Sequence, residues 1–197
     1  MQRLLTHALD FIFPPDAETL AVRNLTPEAV RATYRPHSVY GVTALADFHN
    51  PHIQALVHEA KFHNNERAWA LLSELFLLHT QHYDVVVPIP LSRTRMRKRG
   101  YNQVHAVLHA AMQKRVLPID TTLLTRTRET RPQTELTREA RLENMRGAFT
   151  AHDPSAVTGK HILIVDDVVT TGSTLRAAHT ALLPHHPASV TLLALAH

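Results

Sequence analysis

The chain has 197 residues, a formal net charge of +4, 44% hydrophobic and 19% charged residues, five glycines and no cysteine. That balance fits one globular domain with room for a real core and excludes a disordered or fibrous chain. With no cysteine there is no disulfide, iron–sulfur cluster, thiolate zinc site or cysteine nucleophile.

In chain order, residues 3–12 space Leu4, Leu5, Ala8, Leu9 and Ile12 as a short amphipathic helix, stopped by Pro14-Pro15. Residues 16–36 show no period and read as an irregular appendage. Ser38 to Phe48 alternates as a strand, and Asn50-Pro51 opens a helix through Ile53, Leu56, Val57 and Ala60. A second helix is expected near 66–80, then a buried strand at Val85-Val86-Val87 and a helix over 102–114. A strand near 121–127, a polar loop, a short helix near 137–145 and a strand at 148–151 follow. The chain closes with an apolar strand from Ile162 to Val165, a helix from Ser173 to Leu183 and a strand from Ser189 to Ala194. Apolar strands alternating with helices predict an α/β fold: a mostly parallel sheet with helices on both faces. Ligands of such sheets bind beyond the carboxyl ends of the strands, which directs attention to the segments after residues 87 and 165.

Charge is segregated. Residues 1–90 carry six Lys/Arg and nine Asp/Glu, residues 91–146 thirteen against five, and residues 147–197 two against three. A basic belt confined to the middle of the chain points to a phosphate site rather than a general cationic coat. No apolar run approaches the ~20 residues of a membrane span, and no small-residue cleavage site follows the N-terminal apolar stretch. A cytoplasmic protein without membrane insertion is expected.

The most informative segment runs from Ile162 to Thr174: four apolar residues, then Asp166-Asp167, then Val168-Val169-Thr170-Thr171-Gly172-Ser173-Thr174 opening a helix. Backbone amides of that turn, with its hydroxyls, suit a phosphate, and Gly172 permits close approach. The adjacent carboxylates can accept from two ribose hydroxyls or lie near a bound Mg²⁺. A Walker B strand offers the same acid pair, but Gly159-Lys160 is followed by His161 and lacks the upstream glycine of a phosphate loop. A receiver-domain acid pair normally opens its domain, whereas only thirty residues follow Asp167.

The second segment, Val87 to Gln103, holds five cations within Arg93–Arg99. Arginine suits bidentate diphosphate contacts, so Arg95, Arg97, Arg99 and Gly100 are candidates for a diphosphate site; a solvated basic loop and a nucleic-acid patch are the alternatives.

Residues 162–174 resemble the signature of the type I phosphoribosyltransferases, which bind 5-phosphoribosyl 1-diphosphate with Mg²⁺. Pro88-Ile89-Pro90-Leu91 with Arg99-Gly100-Tyr101-Asn102-Gln103 resembles the hallmark of the ComF family, a phosphoribosyltransferase-like group linked to DNA uptake. Arg126 to Arg138, followed by Arg141, Asn144, Gly147, Ala148 and Phe149, is similar to the family's Arg-rich loop, and Ala60-Lys61-Phe62 and Leu9 to Pro15 to two further elements. The resemblance implies that Asp166 and Asp167 contact the ribose, that Val168 to Thr174 wrap the 5′-phosphate, and that Arg128 and Gln133 lie in a loop closing over the diphosphate. Mg²⁺ would be held mainly through the substrate, near Asp166 and Asp167. Residues 1–36 would be an N-terminal helix and appendage and 37–197 the transferase-like domain, with a small hood from residues 37–62 and the strand near 148–151. Many relatives carry a four-cysteine zinc knuckle after the Pro-Pro, which this chain lacks. His49, His52, His58 and His63 do not read as its replacement, because helical spacing spreads them. Implied partners are 5-phosphoribosyl 1-diphosphate and, if the protein serves as a non-catalytic accessory, single-stranded DNA or competence proteins.

Overall fold

The structure is a computed structural model that describes residues 17–79, 81–128, 145 and 147–197. Its elements begin with α1 (Ala17–Asn24), α2 (Pro27–Arg31), β1 (His37–Val39), β2 (Val42–Ala46), α3 (Pro51–Phe62), α4 (Glu66–Leu78) and β3 (Val85–Pro88). They continue with α5 (Arg93–Arg99), α6 (Gln103–Met112), β4 (Leu124–Arg126), β5 (Phe149–Ala151), β6 (His161–Val168), α7 (Ser173–Leu182) and β7 (Ser189–Ala196).

Five strands make one sheet in the order β1-β2-β7-β6-β3, parallel throughout except for the β1–β2 hairpin at the edge. The near-continuous apolar runs of β6 and β7 follow from burial on both faces. Alternation sends Leu163 and Val165 into a layer with α1, α2, α3, α4 and α6, where Leu56, Leu75 and Leu108 are fully buried. Ile162 and Ile164 face the other way, toward Leu175, Ala178 and Leu182 of α7 and Leu124 and Phe149. Each buried Leu or Ile contributes roughly 1.5–3 kcal/mol relative to exposure, so the two layers fix the sheet from both sides.

The mostly parallel α/β architecture is as expected; several details differ. Residues 17–31 are two helices, with Val22 and Val30 fully buried in the same layer as Leu163. The stretch read as one strand from Ser38 is a hairpin, turned by Tyr40 and Gly41 at φ 52° and 77°, the positive angles a two-residue turn requires. Its second strand is bonded to β7 inside the main sheet, so this part of the expected hood is sheet edge. The strand at 149–151 lies outside that sheet, paired antiparallel with β4. The basic segment is helix α5 rather than a loop. Strand β6 runs on through both aspartates to Val168, because Asp166 and Val168 still pair with Ala194 and Ala196 of β7. His58 and His63 are not spread apart: α3 ends at His63, and the two rings sit 5.3 Å apart. The expected helix at 3–12 lies outside the described residues, and of the one near 137–145 only Met145, which is helical, is described.

Candidate active site

The carboxyl ends of β3 and β6 open onto a cavity of about 710 Å³. Asp166 and Asp167 stand on its floor, reached from opposite sides of the strand. Asp167 is buried and turns toward the helical layer. Its Oδ2 accepts from Gln103 Nε2 of α6 and lies 3.1 Å from Lys61 Nζ of α3, while its Oδ1 accepts from the Val168 amide at 2.6 Å. Asp166 is half-buried beside the turn that opens α7, and its Oδ1 accepts from the Asp167 amide at 2.8 Å. Burial, reinforced by the neighbouring Asp167 charge, pushes the Asp166 carboxyl up to about 7. The pair therefore has one carboxylate already matched to a cation and one that lacks full compensation.

The cationic wall is built by a corner between two helices. Ser92 caps α5 by accepting from the Arg95 amide, and Gly100, at φ 81°, ends it in the left-handed conformation. Asn102 caps α6, accepting from the Val104 and His105 amides, and its Nδ2 donates to Ile89 O at 2.8 Å. Tyr101 Oη donates to Ala60 O at 3.0 Å, tying this corner to the turn that carries Lys61. Arg99 Nη1 donates to Gln103 Oε1, so Gln103 links the arginine to Asp167 through one amide. The Arg99 guanidinium also sits 5.4 Å from the centre of the Phe62 ring, which is exposed at the cavity rim. The run Arg99-Gly100-Tyr101-Asn102-Gln103 thus has a physical reading at every position: a cation, a helix stop, a tether, a helix cap and a carboxylate clamp.

Across the cavity, Val168 to Thr174 form the turn into α7. Gly172 is its N-cap at φ 70° and contributes no side-chain capping bond, while the Ser173 amide donates to Thr171 Oγ1 at 3.4 Å. Arg176 holds the turn from behind, donating to Thr171 O at 2.6 Å and Tyr40 O at 3.1 Å. The Thr171 hydroxyl donates to Ser173 Oγ at 3.1 Å.

The structure brings Asp166, Asp167, Val168, Thr170, Thr174, Arg95 and Arg99 to one cavity, with Val169, Gly172 and Ser173 lining a notch at the turn itself. Arg97 faces away, into a neighbouring cavity of about 740 Å³ that also receives Arg93, His105 and His152. Gly100 serves as the helix stop. Arg128 is exposed two residues beyond β4, and Gln133 lies outside the described residues. Lys61, Lys98, Gln103 and Arg126 line the site without having been singled out by residue type. For Lys61 and Gln103 the signal was present in the sequence, since both fall within segments resembling family elements.

A family model described as the phosphoribosyl transferase domain matches residues 94–197. The chain is 32% identical over 169 residues to the "DNA utilization protein YhgH" of Escherichia coli (strain K12), covering 81% of this chain and 73% of that protein. It is 31% identical over 93 residues to "Competence protein F" of Haemophilus influenzae (strain ATCC 51907 / DSM 11121 / KW20 / Rd), which covers 47% of this chain and 41% of that one. Among solved structures, orotate phosphoribosyltransferase of Mycobacterium tuberculosis H37Rv is similar at 20% identity and a TM-score of 0.38, over 91% of this chain and 82% of that one. By the match to that family model and the identity to these relatives, this protein belongs to the phosphoribosyl transferase domain family, in its ComF group.

Proposed function

We propose that the chain is a cytoplasmic protein that binds 5-phosphoribosyl 1-diphosphate with Mg²⁺ and transfers its phosphoribosyl group to an acceptor. One observation carries this reading: an acid pair, the Thr/Gly/Ser turn that opens α7 and the cations Arg95, Lys98 and Arg99 border a single cavity. The turn from Val168 to Thr174 takes the 5′-phosphate, the aspartates accept from the ribose hydroxyls, and the arginines of α5 face the diphosphate. The site fits Mg²⁺, because Asp166 offers a half-buried oxygen donor whose charge lacks compensation, while Asp167 is already engaged by Lys61 and Gln103. When bound through the diphosphate, Mg²⁺ supplies neutralisation of the leaving group's charge.

In the transfer, a nucleophile of the acceptor forms a bond to C1 of the ribose as the C1–O bond breaks, and diphosphate departs with the electron pair. The chain's contribution is orientation by the turn and the aspartates, and charge stabilisation by Arg95 and Arg99. Calorimetry with Mg²⁺ and the diphosphate sugar tests the binding, with Asp167→Asn expected to weaken it by about tenfold or more. Release of diphosphate in an acceptor screen tests the transfer. No measurable binding, or equal binding by Asp167→Asn, removes the proposal.

A second reading has its own observation. Arg93 and Arg97 of the exposed basic helix line the neighbouring cavity, and the names of the relatives concern DNA utilization and competence. In that reading the protein is a non-catalytic accessory that keeps the sugar-phosphate site and binds single-stranded DNA along α5. Salt-dependent binding of a single-stranded oligonucleotide, lost in Arg93→Ala/Arg97→Ala, supports it; absence of binding at low salt removes it.

A further inference from the structure

We propose that Glu18, His58, Glu59 and His63 form a site for a divalent transition-metal ion of the Zn²⁺ type, which pins α1 to the last turn of α3. The ligand atoms of His58, Glu59 and His63 lie within 4.8 Å of one another. Glu18 adds a fourth from α1, with Oε2 at 2.5 Å from His58 Nδ1. Two imidazoles and two carboxylates form the borderline nitrogen and oxygen set that suits Zn²⁺, and the two negative charges match its own.

Three features favour an ion over two ordinary pairs. First, His58 Nδ1 is shielded from solvent and is not aligned for a hydrogen bond, although Glu18 lies close by. Convergence without donor–acceptor alignment is the pattern of ligands around a shared centre. A tetrahedral shell needs a ligand spacing of about 3.3 Å, which requires outward shifts of under about 1 Å both at Glu18 and at His63, whose Nδ1 now lies 2.6 Å from Glu59 Oε1 in a hydrogen bond that the ion would replace. Second, the buried Glu59 is oriented from outside the cluster: Thr19 Oγ1 donates to its Oε1 at 2.9 Å and Asn65 Nδ2 to its Oε2 at 2.5 Å. Such outer partners fix a ligating carboxylate. Third, the helix stops where the second histidine is required. His63 is the C-cap of α3 at φ −114° and ψ 6°, outside helical geometry, and this returns its ring toward His58, 5.3 Å away.

The position matters for the cavity. Lys61 and Phe62 lie between these ligands in sequence, on the turn the ion would clamp, and both line the cavity beside Asp167.

Zinc binding by the metal-stripped full chain, measured by competition with a chromophoric chelator, tests the site, together with the visible spectrum of the Co²⁺-loaded protein and thermal melting with and without Zn²⁺. One Zn²⁺ per chain at micromolar concentration, a tetrahedral Co²⁺ spectrum and a raised melting temperature are expected. His58→Gln and His63→Gln, both at partly exposed positions, should each weaken binding by about tenfold or more, while His49→Gln/His52→Gln leaves it unchanged. Absence of stoichiometric binding overturns the proposal. So does binding that survives in a folded His58→Gln/His63→Gln double variant, since other histidines would then hold the ion. None of these readouts involves the diphosphate sugar, so the metal site stands or falls apart from the proposed transfer.

Discussion

Lys61 Nζ lies 3.1 Å from Asp167 Oδ2, the same oxygen that accepts from Gln103 Nε2. Residues of two different helices thereby meet on one atom at the end of a central strand. The carboxylate is buried, so its partners are structural requirements as well as site components. Lys61→Met and Gln103→Leu are each expected to lower unfolding stability by about 2 kcal/mol in urea titrations. Because both act on one oxygen, the double variant should lose measurably less than the sum. Additive losses would show the two contacts to be independent.

Asp166 gives the molecule a pH signature. Its carboxyl is raised from an ordinary 3.8 to about 7, first by burial and then by the Asp167 charge. The folded state therefore holds this proton more tightly than the unfolded chain, and stability falls as pH rises through that interval, with the full penalty present above about pH 7. Asp166→Asn removes the ionisation. It should be more stable than the parent at about pH 8, with the gap closing toward about pH 4. Paired urea titrations at the two pH values measure the gap; one that does not widen with pH contradicts the assignment.

The turn before α7 depends on one glycine. Gly172 sits at φ 70°, and a Cβ there would meet Arg176 Nη1 at 2.8 Å. The arginine's flexible end can yield, so the dominant cost of Gly172→Ala is backbone strain of about 1–2 kcal/mol. Displacing Arg176 would also loosen its bonds to Thr171 O and Tyr40 O. Thermal unfolding should register the strain, and affinity for the diphosphate sugar should fall by more than the stability loss alone implies.

The basic helix divides into two faces. Arg95 and Arg99 line the cavity of the acid pair, whereas Arg97 lines its neighbour. Arg99→Ala is expected to weaken binding of Mg²⁺ and the diphosphate sugar by about tenfold, and Arg97→Ala by less than about twofold. Calorimetry on the two variants measures the division directly. Equal losses would mean that α5 acts as an undifferentiated positive surface.

The sequence showed the strands of the sheet interior and the acid pair plainly, because residues such as Ile162 to Val165 are buried on both faces and end abruptly in charge. What it hid depends on partners far along the chain. Residues 17–31 lack a local period, yet Arg31 is held by the buried Glu74, with Nη2 at 2.6 Å from Oε2, and Val30 fills the layer beneath. No window of neighbouring residues contains that contact. Strand β6 outlasts its apolar run because Ala194 and Ala196 of β7 continue the ladder past Val165. Gln103 reaches Asp167 across 64 positions, through the packing of α6 against the sheet. The family resemblance marked Gln103 and Lys61 as members of segments similar to family elements, but only the fold supplies the oxygen on which they meet.

The two aspartates leave their strand on opposite sides, Asp167 toward α3 and α6, Asp166 toward the turn of α7. A ligand gripping both would be stitched into the two hydrophobic layers at once, like a rivet through the edge of a laminate. Its binding energy would then oppose separation of either layer from the sheet. Amide exchange in α6 and in α7 should slow together on saturation, even though the two helices lie on opposite sides of the sheet.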